Sequence, residues 1–409
     1  MKQIVKYINY VNLLSAMCLT ASLMFYYSVQ RNVFYVFFIS YFLEIILEKK
    51  WKTIRVDKTH IYYIILAVFF LLAVLYLPFE NSRKYTIFLL EKRFSLFGFA
   101  LVGLFGLNNK FKINYLLNSF IITSIIAIAY LIFYRIGIYV FFEQPLRTEV
   151  IELMRIKYVN SHMAFDFYLN VSLISIWYIL SRSWTKTVWW KQYLYIAALT
   201  VILSALSISE GRSGFIVGVI LVLSFIFVEI WKRRKVLGIV IGFIIPFLFI
   251  GVVSFHKRMT ENLIKTEPRF FLWESALSVI KENPVFGFGI SDAQEKFDLA
   301  RPKYETVEYR EQWKTSTHLD CHNQYLQTAM ESGIIGLLIL LFLYISPVFI
   351  VDKTKRMLAV FLMFLCAYQS VFDMFITGPF TTIFCIIILL LLSVRNNIAN
   401  LQKVGRSIE

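Results

Sequence analysis

Apolar residues in this chain gather into long runs, and those runs decide how it is read. A helix needs roughly 20 apolar residues to cross a bilayer, whereas runs of about 10 to 14 belong to buried soluble helices. About twelve stretches approach the spanning length. They are Ile8–Tyr27, Val33–Leu47, Ile61–Leu77, Phe94–Leu107, Tyr115–Tyr134, Met163–Leu180, Tyr193–Ser207, Phe215–Ile230, Val236–Phe255, Gly333–Val351, Met357–Phe375 and Phe380–Val394. The pattern predicts an all-α polytopic membrane protein in which residues 1–409 form a single integral membrane domain. Lys2 and Lys6 precede the first run as they would a signal peptide. No small-residue cleavage site follows, so the run is read as an uncleaved helix.

Composition supports that class. The chain is 58% hydrophobic and 17% charged, where a soluble protein carries about 25% charged residues. The formal charge of +16 would suggest nucleic acid as a partner of a soluble chain. Here the basic residues read instead as topology signals, and no nucleic-acid partner is expected. With the amino terminus in the cytoplasm, the cytoplasmic segments collect about half of the 42 lysines and arginines, in clusters such as Lys49 to Lys58, Lys232 to Lys235 and Lys353 to Arg356. Trp184, Trp189, Trp190 and Trp231 lie beside these clusters, as in an aromatic belt. Cys18, Cys321, Cys366 and Cys385 are scattered with no C-x-x-C, which fits neither a disulfide framework nor a zinc ribbon.

One segment breaks the alternation. Residues 256–332 form a long polar stretch between the ninth and tenth runs, opposite the basic loops, and a loop of that length is unusual unless it is functional. Within it, Pro268-Arg269 opens and Asn283-Pro284 closes a helical pattern with Phe270, Trp273, Ala276, Leu277 and Ile280 on one apolar face. This predicts an amphipathic helix at the membrane surface. Arg269 falls in its first turn, where backbone N–H groups favour an anion; a solvated or snorkelling arginine is the other reading. Gly287-Phe288-Gly289 is too short for a phosphate loop and reads as a turn.

His318 and His322 stand four residues apart before the tenth run, with Asp320, Cys321 and Asn323 between and after them. A metal site is one reading, but no third ligand falls at a persuasive spacing. A single histidine acting as general base is more economical. On the same predicted face lie Arg212, in the turn Ser209-Glu210-Gly211-Arg212-Ser213-Gly214, Lys92 and Arg93 at the start of the fourth run, and Asp373 near the end of the eleventh. Arg212 is either neutralised by Glu210 or functional. Several cations facing one boundary would suit a diphosphate headgroup.

Taken together, these segments resemble the O-antigen ligase and polymerase superfamily of bacterial membrane glycosyltransferases. The resemblance rests on Arg269-Phe-Phe-Leu-Trp273, Asn283-Pro284-Val-Phe-Gly287-Phe-Gly289, His322-Asn323-Gln-Tyr325-Leu326 and Glu331-Ser-Gly333-Ile-Ile-Gly336-Leu337, in that order. The family's Ser-Arg-(Ser/Gly) turn is matched by Gly211-Arg212-Ser213-Gly214, with a departure just before the arginine, and Glu91-Lys92-Arg93 resembles the basic start of the family's fourth span.

The resemblance implies a GT-C-like fold of about twelve spans with one large periplasmic loop. It implies that Arg212 and Arg269 hold the diphosphate of an undecaprenyl-diphosphate-linked glycan and that His322 activates the acceptor hydroxyl. Lys92, Arg93, Asn323, Tyr325 and Asp373 complete the expected substrate-binding set. No metal or other cofactor is expected, and the sequence has no Asp-x-Asp motif.

The leading expectation is a ligase that transfers a glycan to a lipid A core sugar at the periplasmic face of a bacterial inner membrane. A polymerase using the same donor on a second carrier-linked repeat is the alternative. A lipid or ion transporter is a third class, but it would concentrate its polar positions at the bilayer midplane rather than at one face.

Overall fold

The structure, a computed structural model, describes residues 2–22, 24, 27–52, 57–107, 111–142, 162–183, 188–209, 212–254, 269–304, 319–377 and 380–393. Its elements are α1 (Lys2–Ser22), α2 (Tyr27–Glu48), α3 (Lys58–Tyr76), α4 (Arg83–Phe105), α5 (Ile113–Phe142), α6 (His162–Ser183) and α7 (Trp189–Ile208). Then follow α8 (Arg212–Arg233), α9 (Lys235–Ser254), α10 (Arg269–Glu282), α11 (Ile290–Ala300), α12 (Gln324–Ile350), α13 (Arg356–Phe372) and α14 (Thr381–Leu392). Every described element is helical, so the chain is an all-α protein with several membrane-spanning helices.

Each predicted run overlaps a described helix, and among the described residues eight helices are long and apolar enough to cross a membrane by length and composition. Of the other four, α4 carries Arg83, Lys84, Glu91, Lys92 and Arg93 in its first half, and the described apolar parts of α9, α13 and α14 are shorter. Among the described residues, length and composition thus account for eight of the about twelve expected crossings.

The helices form two compact units: Met1–Leu47, Asn108–Glu261 and Val394–Glu409 make one, and Glu48–Leu107 with Asn262–Ser393 makes the other. The first is built around α6, which α5, α7 and α8 surround and whose side chains from Ala164 to Ile179 are buried. Lipid offers no hydrophobic drive between helices, so small residues and interhelical hydrogen bonds hold such a bundle. Ser124 Oγ and Ser172 Oγ lie 2.7 Å apart, Thr20 donates to Ser119 at 2.6 Å, and Trp177 stacks on Phe225.

In the second unit α3 packs on α4 and α12, and α14 packs on α4. Gly103 makes room for the buried Tyr63 ring, which a Cβ would meet at 2.2 Å. The feature that shapes this unit is a break in α12. Gly333 adopts φ 59° and ψ −157° within the helix, a backbone conformation reserved for glycine. The freed main-chain groups are taken up by the turn after α10: Phe288 N–H donates to Met330 O, Gly289 N–H to Glu331 O, and Ile334 N–H to Pro284 O, each at 2.9 Å. Irregular backbone is tolerated in a span when protein satisfies it in this way. The approach needs glycine on both sides. A Cβ on Gly333 would lie 2.1 Å from Val285 O, and one on Gly287 would lie 2.6 Å from the Glu331 carbonyl carbon.

α10 forms where expected, but the face it buries is different. Phe271, Leu272, Ala276 and Val279 pack with Ala293, Phe297, Cys321 and Met330, while Phe270 and Leu277 stay exposed. Ala276 alone of the predicted stripe is fully buried, with Trp273 and Ile280 at its margin. The helix is apolar on two sides, so periodicity could not choose between them.

Candidate functional site

One end of the second unit gathers most of the predicted chemistry. Glu80, in the turn between α3 and α4, accepts from Ile290 N–H and Ser291 N–H and so caps α11. Burial pushes its carboxyl above the usual range, against the pull of those N–H groups. This cap, with the Asn81 N–H to Asp292 bond of 2.9 Å, ties the α3–α4 turn to the segment carrying the site.

His322 sits just before α12. Its φ of +46° is unusual for a side-chain-bearing residue. Three local bonds hold the kink: Asp320 accepts from His322 N–H at 3.1 Å, and Asn323 caps α12 by accepting from Tyr325 N–H and Leu326 N–H at 3.0 and 3.1 Å. The imidazole Nδ1 stands 3.1 Å from Asp320 Oδ1 and 3.8 Å from Asp373 Oδ1, and the side chain is 40% exposed. Burial favours the neutral ring, but Asp373 and Asp320 outweigh it and raise the His322 pKa above its ordinary value, with Arg269 opposing. Burial likewise raises Asp320, with His322 pulling the other way.

Arg269 opens α10 with its guanidinium 5.8 Å above the Phe372 ring, one residue from Asp373, and its charge reaches His322. His322, Asp373 and Arg269 are thus brought together, as the sequence suggested.

Other predicted residues have different surroundings. Arg93 is 3% exposed and forms a two-pronged ion pair with Glu331, at 2.6 and 2.8 Å. Glu331 also accepts from Gln327 at 2.8 Å. An arginine enclosed in this way braces α4 against α12. Its partner is far off in sequence, so no local pattern could reveal it. Asn323 uses its side chain as the helix cap, and Tyr325 donates its hydroxyl to Ala367 O at 2.9 Å. Lys92 lies over the Phe88 ring at 4.1 Å. His318 lies outside the described residues. Among the described residues, no three His, Cys, Asp or Glu side chains come together as a metal would require.

The predicted Arg212 turn belongs to the first unit. Arg212 is the first residue of α8, while Glu210 and Gly211 lie outside the described residues. Beneath the turn is a residue the sequence reading passed over. Asp166 of α6 is 2% exposed, its Oδ1 accepts from Ser209 at 2.7 Å, and its Oδ2 has no hydrogen-bond partner among the described residues. Asn170, one turn on, donates to Gly214 O at 3.0 Å. A lone carboxylate in the apolar run 163–180 is the signal that could have found it.

These features coincide with what comparison with known proteins finds. Residues 195–341 match the O-antigen ligase family, so the superfamily resemblance drawn from the motifs holds over the segment that contains Arg212, Arg269 and His322. A Haemophilus influenzae protein named "Uncharacterized protein" is 32% identical over 99 residues, 24% of this chain and 23% of that one. Proteins named "Putative polysaccharide ligase" match at 26% identity over 163 residues in Rickettsia typhi and 30% over 150 residues in Rickettsia conorii. Those matches take in 38% and 34% of this chain and 39% and 35% of the relatives. The chain therefore spans well under half the length of the curated relatives it matches. No solved structure matches it.

Proposed function

We propose that the protein is an inverting, metal-independent glycosyltransferase of the ligase type. In this reading it moves a glycan from undecaprenyl diphosphate to a sugar of lipid A core at the periplasmic face of a bacterial inner membrane. The observation that carries the reading is the half-exposed His322, flanked by two carboxylates and lying within reach of the Arg269 charge.

The chemistry follows from that arrangement. In the neutral imidazole, Nδ1–H faces Asp320 and Asp373, which leaves the Nε2 lone pair for the acceptor hydroxyl. As Nε2 takes the hydroxyl proton, the acceptor oxygen bonds to the anomeric carbon and the bond from that carbon to the diphosphate oxygen breaks. Direct displacement inverts the configuration, so no carboxylate nucleophile is needed. The departing undecaprenyl diphosphate gains negative charge, which Arg269 stabilises without a divalent cation. Asp373 serves by orienting His322, and Lys92 is a further candidate for the anionic donor.

The test uses purified protein, the carrier-linked glycan, and either lipid A core or a carrier-linked repeat as acceptor, each with and without chelator. Mass gained by lipid A core in chelator is the expected result. Mass gained only by the carrier-linked repeat would make the protein a polymerase. Loss in chelator that magnesium restores would end the metal-independent mechanism.

A further inference from the structure

We infer that Gln324 is a positioning residue that clamps the segment after α13 to the start of α12 and thereby holds Asp373 against His322. Gln324 is fully buried, and its Oε1 accepts three hydrogen bonds: from Ile376 N–H at 2.8 Å, Thr377 N–H at 3.0 Å and Thr377 Oγ1 at 3.0 Å. Its Nε2 donates to Thr328 Oγ1 at 2.9 Å, which fixes the direction of the amide.

The clamp is short on both sides. Gln324 lies two residues after His322, and Ile376 lies three residues after Asp373. Gln324 thus bridges the two pieces of backbone that carry His322 and Asp373, whose Oδ1 lies 3.8 Å from Nδ1. Phe375, buried and stacked on Phe380, anchors the far piece from beneath. Three donors converging on one buried oxygen would all be left unsatisfied by an apolar residue of the same size.

Among the described residues, the charged and titratable groups around His322 are few. Arg269 comes from α10, Asp320 from the approach to α12 and Asp373 from the end of α13. Tyr325, from α12 itself, has its hydroxyl committed to Ala367 O. Asp320 is fixed by the backbone next to His322, so Asp373 is the carboxylate whose distance the clamp controls. Loosening the clamp should remove the Asp373 contribution and leave that of Asp320.

The inference rests on the base role of His322 only for its effect on turnover; its structural half is read directly. The full chain, labelled at its five histidines, is titrated by NMR in detergent, with the His322 signal assigned by its loss in His322→Asn. Gln324→Met should lower the His322 titration midpoint by as much as Asp373→Asn does, and the double variant should shift it no further. Gln324→Glu keeps all three acceptor bonds and should not lower it. Should Gln324→Met fail to fold, Thr377→Val deletes one of the three donors and should give a smaller shift in the same direction. A wild-type midpoint in folded Gln324→Met, or in Thr377→Val when only that variant folds, overturns the inference, as do fully additive shifts in the double variant. In transfer assays the acid limb of Gln324→Met should move to lower pH with the NMR midpoint. If the midpoint shifts but the limb does not, the clamp stands and the base assignment of His322 fails.

Discussion

Two of the ionic centres in the second unit are built in opposite ways. Arg93 and Glu331 are 3% and 5% exposed, paired through two bonds and backed by Gln327. His322, Asp320 and Asp373 are 40%, 40% and 16% exposed, and their contacts are longer and single. A buried pair of that geometry loses heavily when one partner is removed, because the other charge is left without compensation. A half-exposed cluster tolerates such a loss but can exchange protons with whatever occupies the space beside it. Enclosure makes the first centre a brace. Openness suits the second to chemistry.

The sharpest way to break the comparison is at the brace. Arg93→Ala should destabilise the protein by about 3 to 5 kcal/mol, and the apolar pair Arg93→Met with Glu331→Leu should recover much of that loss. Denaturation in detergent reads both, and a loss below about 1 kcal/mol for the single variant would show that the pair is not a brace.

At the open centre the order of effects should reverse. His322→Ala should lower transfer by about 10²- to 10⁴-fold with little change in thermal stability, and His318→Ala should cost far less. A dead His318→Ala beside an active His322→Ala would move the base to His318.

Arg269 comes next. Arg269→Ala should lower turnover by about 10²- to 10³-fold. Arg269→Lys should cost less, because the ammonium keeps the charge but not the two-pronged grip on phosphate oxygens. Wild-type turnover in the alanine variant would remove Arg269 from the diphosphate site.

The smallest expected effect is a displacement on the pH axis. A general base works only when unprotonated, and the two carboxylates hold the His322 pKa above its ordinary value. The acid limb of the rate profile should therefore lie at higher pH than for an ordinary histidine. Asp320→Asn and Asp373→Asn should each move it to lower pH. A limb indifferent to both would mean that another group controls it.

The sequence made the helices legible because lipid-facing segments must be apolar throughout, and the start and end of α10 were marked by Pro268-Arg269 and Asn283-Pro284. It could not say which side of α10 is buried, since Phe270 and Leu277 are as apolar as Leu272 and Val279. The grouping of Arg269 and His322 followed from motif order and that of Asp373 from the face the predicted topology gave it, but the job of Arg93 did not. Its partner Glu331 is 238 residues away, and only the packing of α4 against other elements brings the two together. Asp166 was legible in principle, as a lone carboxylate in an apolar run. Gln324 was not, because three of its four hydrogen bonds reach a segment some 50 residues later.

The broken span has a consequence for how this protein could be altered. The turn 284–289 is hydrogen-bonded to α12 through main-chain groups, so those bonds do not depend on which side chains stand at positions 285 and 286. Val285 and Phe286 project outward, exposed, from a seam that only Gly287 and Gly333 keep closed. A graft of new residues at positions 285 and 286 should leave hydrogen exchange at the Phe288, Gly289 and Ile334 amides as slow as in the parent. This would make the turn a place where contact specificity can be rewritten while the scaffold stays in register.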